Sequence, residues 1–329
     1  MKVTFACIVL LMFISYPSYA LQPKTFSQSL TLLKQRIVSE NLSQESVDSV
    51  FKNVKRVRRF SRDVPTQTAI IPTSVFGYLD SYLPKAVNDE VVKKARDYFK
   101  QHLEFLRALE SRYQVQPRFL IAHWGINNKF VETSSGYDAL SILSSLHHTN
   151  AKKISLNDVT SLVKLSRDKS LGDIDVVSNW QGKLGLLALT PSQVLDGYQD
   201  YDGDGRVDLW HSMADALATA AKFLASNGWD SDQTWGRQVK IPADLADDLL
   251  NDNQYRTLAQ WSNLGLIRFD NRALPNAQVK ARLLAPDGRK GRVYLTYKNF
   301  ELLLQLNDSP YDAVAVGYLS NRIKFPAIN

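Results

Sequence analysis

The stretch Pro117-Arg118-Phe119-Leu120-Ile121-Ala122-His123-Trp124-Gly125-Ile126-Asn127-Asn128-Lys129-Phe130 organises the reading of this chain. Pro117 suits a first helical position, because its φ is already helical and its missing N–H is not needed there. Phe119, Leu120, Ala122, His123 and Trp124 then form a strongly apolar segment, which Gly125-Ile126-Asn127-Asn128 ends. Upstream, Asn88 can cap a long helix with the stripe Val92, Ala95, Phe99, Leu103, Leu106 and Leu109, expected to end near Tyr113. Between Phe26 and Val54, apolar residues recur at three and four, predicting two short helices, the second entered through Ser43. Downstream, Asp138–Leu146 reads as a buried helix closed by His147-His148, two surface caps that cannot share one helical face as metal ligands.

The remainder changes character. A polar stretch from Lys152 to Asp175 leads into Ser178-Asn179-Trp180-Gln181-Gly182-Lys183-Leu184-Gly185, and Pro191-Ser192 starts another helix. From about Thr234 the pattern has period two: Val279, Ala281 and Leu283 alternate before Pro286-Asp287-Gly288, and Val293, Leu295 and Tyr297 after it, which predicts a β-hairpin. A last helix is expected from Ser309-Pro310 through Ala313, Val316, Leu319 and Ile323.

With 329 residues, 44% hydrophobic and 22% charged, the chain has material for a sizeable core and one or two domains, excluding disordered, collagen-like and coiled-coil classes. A net charge of +7 suggests an anionic partner. Residues 1–20 combine Lys2, an apolar run from Val3 to Ile14 and the small residues Ser18 and Ala20, the pattern of a secretory signal cleaved after Ala20. The single cysteine, Cys7, leaves with it, and no cysteine stands at the cut to carry a lipid. The expectation is an exported, periplasmic protein that is not a lipoprotein and has no membrane span after cleavage. Six basic residues lie between Lys52 and Arg62 with no acidic one among them: a solvated face, or a surface for an anionic polymer. For an exported protein, nucleic acid is not expected as that polymer.

Asp200-Tyr201-Asp202-Gly203-Asp204-Gly205-Arg206 matches D-x-D-x-D-G, in which alternate carboxylates converge on a hard cation and position 7 offers its carbonyl. His211 replaces the usual Glu at position 12, leaving Asp215 as the nearest carboxylate to close the coordination. Ser212 to Asp215 is equally a helix-capping arrangement. The expected ligands of a structural Ca2+ are Asp200, Asp202, Asp204, Arg206 and Asp215.

Tyr113-x-Val115-x-Pro117, Ala122-x-Trp124-Gly125, Gly182-x-Leu184-Gly185 with Pro191-Ser192, and Leu209-Trp210 after the acidic loop resemble the lytic murein transglycosylase B family. So do Asn227-Gly228-Trp229, Leu284-x-Pro286-Asp287-Gly288, Asn299-Phe300, Asn307-x-Ser309 and Ala315-Val316, from about Phe26 to Ile323. The resemblance implies a mainly α (α+β) fold: a helical N-terminal region (21–104), a lysozyme-like core with an EF-hand-like loop (105–230) and a C-terminal part with a β-hairpin and closing helix (231–329). It also implies cleavage of the MurNAc–GlcNAc bond of peptidoglycan, one carboxylic acid serving as acid and then base.

In the family that acid is the Glu directly after Trp-Gly-aliphatic; here the position is Asn127. The family's Gln is Ala188, an Ala is Lys183, a Ser is Asn179, and the two Tyr of Tyr-Asn-x-Ser-x-x-Tyr fall on Leu306 and Asp312, with Tyr311 one place off. Fold positions are kept while cleft positions have changed together. The expected role is that of a pseudoenzyme, which binds peptidoglycan strands or a wall-associated protein through Trp124, Asn127, Asn179, Trp180, Asn307 and Tyr311. Two alternatives stand beside it: an active enzyme with a relocated acid, Glu132 or Asp138, and a protein–protein adaptor that uses the basic run.

Overall fold

The computed structural model describes residues 25–58, 78–132, 136–149, 154–168, 176–250, 252–307 and 309–324. The signal segment 1–20 lies outside these, as do Arg59 and Arg62 of the basic run and Asp308.

The N-terminal part is α1 (Phe26–Ser39), α2 (Gln44–Val50), α3 (Leu79–Ala86), α4 (Asp89–Gln101) and α5 (Leu103–Tyr113). Thr25, Ser43 and Asn88 cap α1, α2 and α4 by accepting a hydrogen bond from the backbone N–H three residues on. The long helix expected from Asn88 to Tyr113 breaks at His102, whose ring stacks on Tyr98 at 4.2 Å. The break divides one stripe into two: Val92 and Ala95 are buried from α4, Leu106 and Leu109 from α5.

Next come α6 (Pro117–Asn128), β1 (Tyr137–Asp138), α7 (Ala139–Thr149), α8 (Leu156–Leu165), β2 (Val177–Ser178), α9 (Pro191–Gly197) and α10 (Met213–Ser226). Every residue of α6 from Pro117 to Ile126 is buried, because α4, α5, α10 and the last helix all pack on it. His147 is not a surface cap. It is buried in α7, and burial, Arg36 and His148 all push its pKa below the usual histidine value. Lys55 and Val57, in the basic run, donate backbone N–H bonds of 2.9 Å to the hydroxyls of Ser141 and Ser145, one turn apart on α7.

The C-terminal part holds β3 (Gly236–Lys240), β4 (Arg256–Thr257), α11 (Leu258–Asn263), β5 (Ile267–Arg268), β6 (Lys280–Leu284), β7 (Val293–Thr296), α12 (Lys298–Leu306) and α13 (Pro310–Lys324). The expected hairpin is present: β6 and β7 pair antiparallel with Leu283 opposite Leu295, inside the sheet order β4-β6-β7-β3-β5. One sheet face buries Val239, Leu283, Val293 and Leu295 with Trp261 in a satellite core. Tyr294 and Leu284 turn instead to the main core, where α13 packs along α6. No helix among the described residues is long and apolar enough to cross a membrane.

Candidate functional site

The C-terminal end of α6 is tied to the loop 182–189 by two side chains five residues apart. His123, fully buried, places Nε2 2.8 Å from the Leu187 carbonyl, and Asn128 donates to the Leu186 carbonyl at 2.8 Å. A carbonyl only accepts, so the imidazole proton is on Nε2 and Nδ1 is left as an acceptor. Nδ2 of Asn127 fills that acceptor at 3.0 Å. The same amide nitrogen lies 3.1 Å from the His123 carbonyl and 2.8 Å from Oδ1 of Asn307, whose own amide donates to Leu303 at 2.6 Å. Three acceptors surround Nδ2. This is a pocket for an N–H donor, and a carboxylate oxygen there would face a carbonyl oxygen and a ring lone pair.

The structure brings Asn127 and Asn307 together across 180 positions. The other sequence-derived candidates do not share that network. Trp124 is 1% exposed, donates to the Val131 carbonyl at 3.1 Å, and packs edge-on against Tyr98 and Phe130. Its environment is that of a core residue. Oδ1 of Asn179 accepts from the N–H groups of Gln181 and Lys183 and shapes the turn before Gly185, while the neighbouring Trp180 is 38% exposed. Tyr311 is buried against Tyr82 and donates its hydroxyl to Asp287 on the β-hairpin turn.

Two carboxylates come near this end of α6. Glu132 is exposed and acts on Tyr98, whose hydroxyl is pushed up to about 12 by burial first and Glu132 second. Asp312, at the start of α13, accepts from the Tyr82 hydroxyl and from Oγ of Ser309 at 2.8 Å. Lys129 feels Asp312 as an opposing charge, although burial dominates and lowers the lysine pKa. Neither carboxylate is a hydrogen-bond partner of Asn127, whose amide is held by His123 and Asn307.

In the acidic loop, carboxylate oxygens of Asp200, Asp202 and Asp204 lie within 4.8 Å of one another. Gly203 and Gly205 take φ of 77° and 89°, and their N–H groups donate to Asp200 at 2.7 and 2.9 Å. Asp215 sits behind this group, 1% exposed, accepting from the N–H of Tyr201 at 2.7 Å and of Asp208 at 2.9 Å. Burial is the main cause of its raised pKa. Ser212 caps α10 as expected, donating its hydroxyl to Asp202 at 3.0 Å. His211 pairs with Asp208 at 3.0 Å.

Residues 25–321 match the model of the Transglycosylase SLT domain. The chain belongs to this family. The membrane-bound lytic murein transglycosylase B of Escherichia coli is 21% identical over 88% of this chain and 81% of its own length. Among solved structures, SltB3 from Pseudomonas aeruginosa in complex with NAG-NAM-pentapeptide superposes with a TM-score of 0.73 at 24% identity, covering 92% of this chain and 80% of that one. The Escherichia coli lytic transglycosylase Slt35 in complex with calcium gives 0.68 at 17%, covering 90% and 92%. The fold is therefore that of the lysozyme-like lytic transglycosylases.

Within this SLT frame, two participants escape a reading of the sequence. His123 looks like one more member of an apolar run, yet its spacing of four from Asn127 on one helix was the available signal. Asp312 gains its meaning from Tyr82, 230 positions away, and no local pattern announces that contact.

Proposed function

We propose that this protein binds peptidoglycan in the lytic transglycosylase cleft without cutting it. The observation that carries the reading is the amide nitrogen of Asn127 at the acid position, committed to His123 and Asn307. An amide neither releases a proton to a glycosidic oxygen nor takes one from the sugar hydroxyl, so both halves of a step worth on the order of 10²–10⁴-fold are missing. With Nδ2 engaged, Oδ1 of Asn127 remains as an acceptor for a sugar hydroxyl or N-acetyl N–H. Asn307 holds Asn127 in place, while Trp180 offers an exposed ring face and Asn179 and Tyr311 shape the surrounding turns. A solved relative in complex with NAG-NAM-pentapeptide supports the choice of ligand.

Ca2+ fits the acidic loop. Asp200, Asp202 and Asp204 would hold it with the Arg206 carbonyl, and Asp215 would fix or complete the set. Three carboxylates within 4.8 Å repel one another unless a cation neutralises them. The ion's role there is to stiffen the loop between α9 and α10. The N-terminal signal pattern, the membrane-bound Escherichia coli relative and the ligand class together support a periplasmic location. Sedimentation with purified sacculi tests the reading: the protein should pellet with them and release no anhydro-muropeptides. Failure to pellet would remove it.

A further inference from the structure

Along α7, Ser141, Ser145 and His148 are spaced four and then three residues apart, which sets them in one row on the helix surface. The segment that enters the basic run lies across this row. Lys55 and Val57 donate their backbone N–H groups to the hydroxyls of Ser141 and Ser145, both at 2.9 Å. In an extended chain alternate N–H groups point the same way at a repeat of about 7 Å, close to the ~5–6 Å between helical neighbours four apart, so two adjacent rungs of α7 match two alternate amides. Val54 and Val57 are half-buried, while the side chains of Lys52, Lys55, Arg56 and Arg58 are exposed. The segment is a strap: its backbone and valines lie on the protein and its charges in water.

His148 is the next rung of the same row. The Phe26 ring of α1 stands edge-on 5.6 Å from it, and burial first and the Arg56 charge of the strap second push its pKa below the usual histidine value. His147 beside it feels Arg36 of α1. Nδ1 of each ring is buried without a hydrogen-bond partner among the described residues, so a second ring N–H there would have no acceptor. The acids on the elements packed against α7 are engaged elsewhere or exposed. Asp138 of β1 accepts the Ser141 N–H at 2.7 Å, Asp158 of α8 accepts from the N–H and hydroxyl of Ser192 at 3.2 and 2.7 Å, and Glu40 closes α1 in solvent. Of the remaining cations on these elements, Lys34 pairs with Asp48 at 2.6 Å and Lys164 is exposed. Arg36, His147, His148 and Arg56 thus form a cluster of one sign whenever the rings are protonated.

We propose that the segment Val54–Arg58 is a strap that α7 holds at neutral pH and releases in acid, with His148 as the trigger. While His148 is neutral, Arg56 passes it at little cost and both backbone anchors stand. Protonation sets a positive ring against Arg56, which lies between the two anchoring amides, and adds an N–H without an acceptor. Once the strap has lifted, the ring meets water and ionises at its ordinary value. The docked form therefore binds fewer protons than the released one, and docking weakens as the pH falls below about 6.5. Release turns a fixed basic ridge into a basic tether and bares the Ser141 and Ser145 hydroxyls. The device is independent of the cleft and of what the cleft binds.

Amide hydrogen exchange read by mass spectrometry on the full mature protein, at pH 7.5 and 5 and corrected for the intrinsic effect of pH, tests the proposal on the peptide that spans residues 52–58. In wild type the protection of this peptide should fall about fivefold or more in acid, the scale of one like-charge contact near a protein surface, while the amides of α10 keep theirs. His148→Gln should hold the strap at both pH values, and His148→Arg should release it already at pH 7.5. Equal wild-type protection at both pH values would overturn the proposal. So would the same acid loss in His148→Gln, or a parallel loss in α10, which would mark unfolding of the whole molecule. Should His148→Gln fail to hold the strap even at pH 7.5, Arg56→Gln decides: a smaller acid loss than wild type supports the trigger, and an undiminished one removes it.

Discussion

The acidic loop after α9 and the end of α6 hold two polar clusters of opposite make-up, one of carboxylates and one of amides around a histidine. At the loop, Asp200, Asp202 and Asp204 still converge, and Asp215 still ties the loop to α10 through two backbone N–H groups. At α6, Asn127 stands where the family resemblance leads one to expect an acid, and acceptors surround its amide nitrogen. The second holds three elements together: α6, the loop 182–189 and the end of α12. Under the proposed function this polar site has a structural role, with His123 as its buried partner.

The largest stability effect should come from the loop. Asp215→Ala deprives two backbone N–H groups of their buried acceptor, an expected cost of about 3 kcal/mol, or roughly 6–10 °C in melting temperature by calorimetry. A change under 1 °C would mean that the loop is held by other contacts. Calcium should rank next: at a hundredfold excess over its dissociation constant, a bound ion adds about 2.7 kcal/mol. Chelation should lower the melting temperature of wild type and leave Asp202→Asn/Asp204→Asn unmoved, and equal response of both proteins would exclude a cation at this site.

Asn127→Leu should cost about 2 kcal/mol, because Nδ1 of His123 and Oδ1 of Asn307 lose their donor. Asn127→Glu should also be destabilised, its carboxylate facing the His123 carbonyl, and should release no anhydro-muropeptides. Cleavage by that variant would show the remaining cleft to be intact.

The smallest effect concerns pH. His147 has a folded pKa below its unfolded value, so its neutral form stabilises the fold above about pH 6.5. That contribution is lost as the pH falls through the lower folded value. The melting temperature should drop between pH 7.5 and 5, and His147→Phe should flatten the drop. An unchanged profile in the variant would assign the pH response to other groups.

Most of the architecture was legible in the chain. Ser43, Asn88 and Ser212 act as caps, Pro117 and Pro310 open their helices, and the alternation around Pro286-Asp287-Gly288 forms the β6–β7 hairpin, because each is a local preference. The break at His102 was not legible, since both halves continue one apolar stripe and only the packing of α5 beside α4 separates them. The site was half legible. Asn127 stood out because a residue type failed its chemistry, whereas its partners follow from contacts that span up to 180 positions. Tyr311 shows the reverse case: a tyrosine near the expected place whose hydroxyl goes to Asp287.

The most direct test incubates the purified mature protein, with calcium, with peptidoglycan sacculi and separates the bound from the soluble fraction. The soluble products are then examined for 1,6-anhydro-muropeptides by mass spectrometry. The expected result is protein in the pellet and no anhydro product above the buffer control. Anhydro-muropeptides from the wild type, lost on mutation of Glu132 or Asp312, would contradict it and place the acid on a relocated carboxylate.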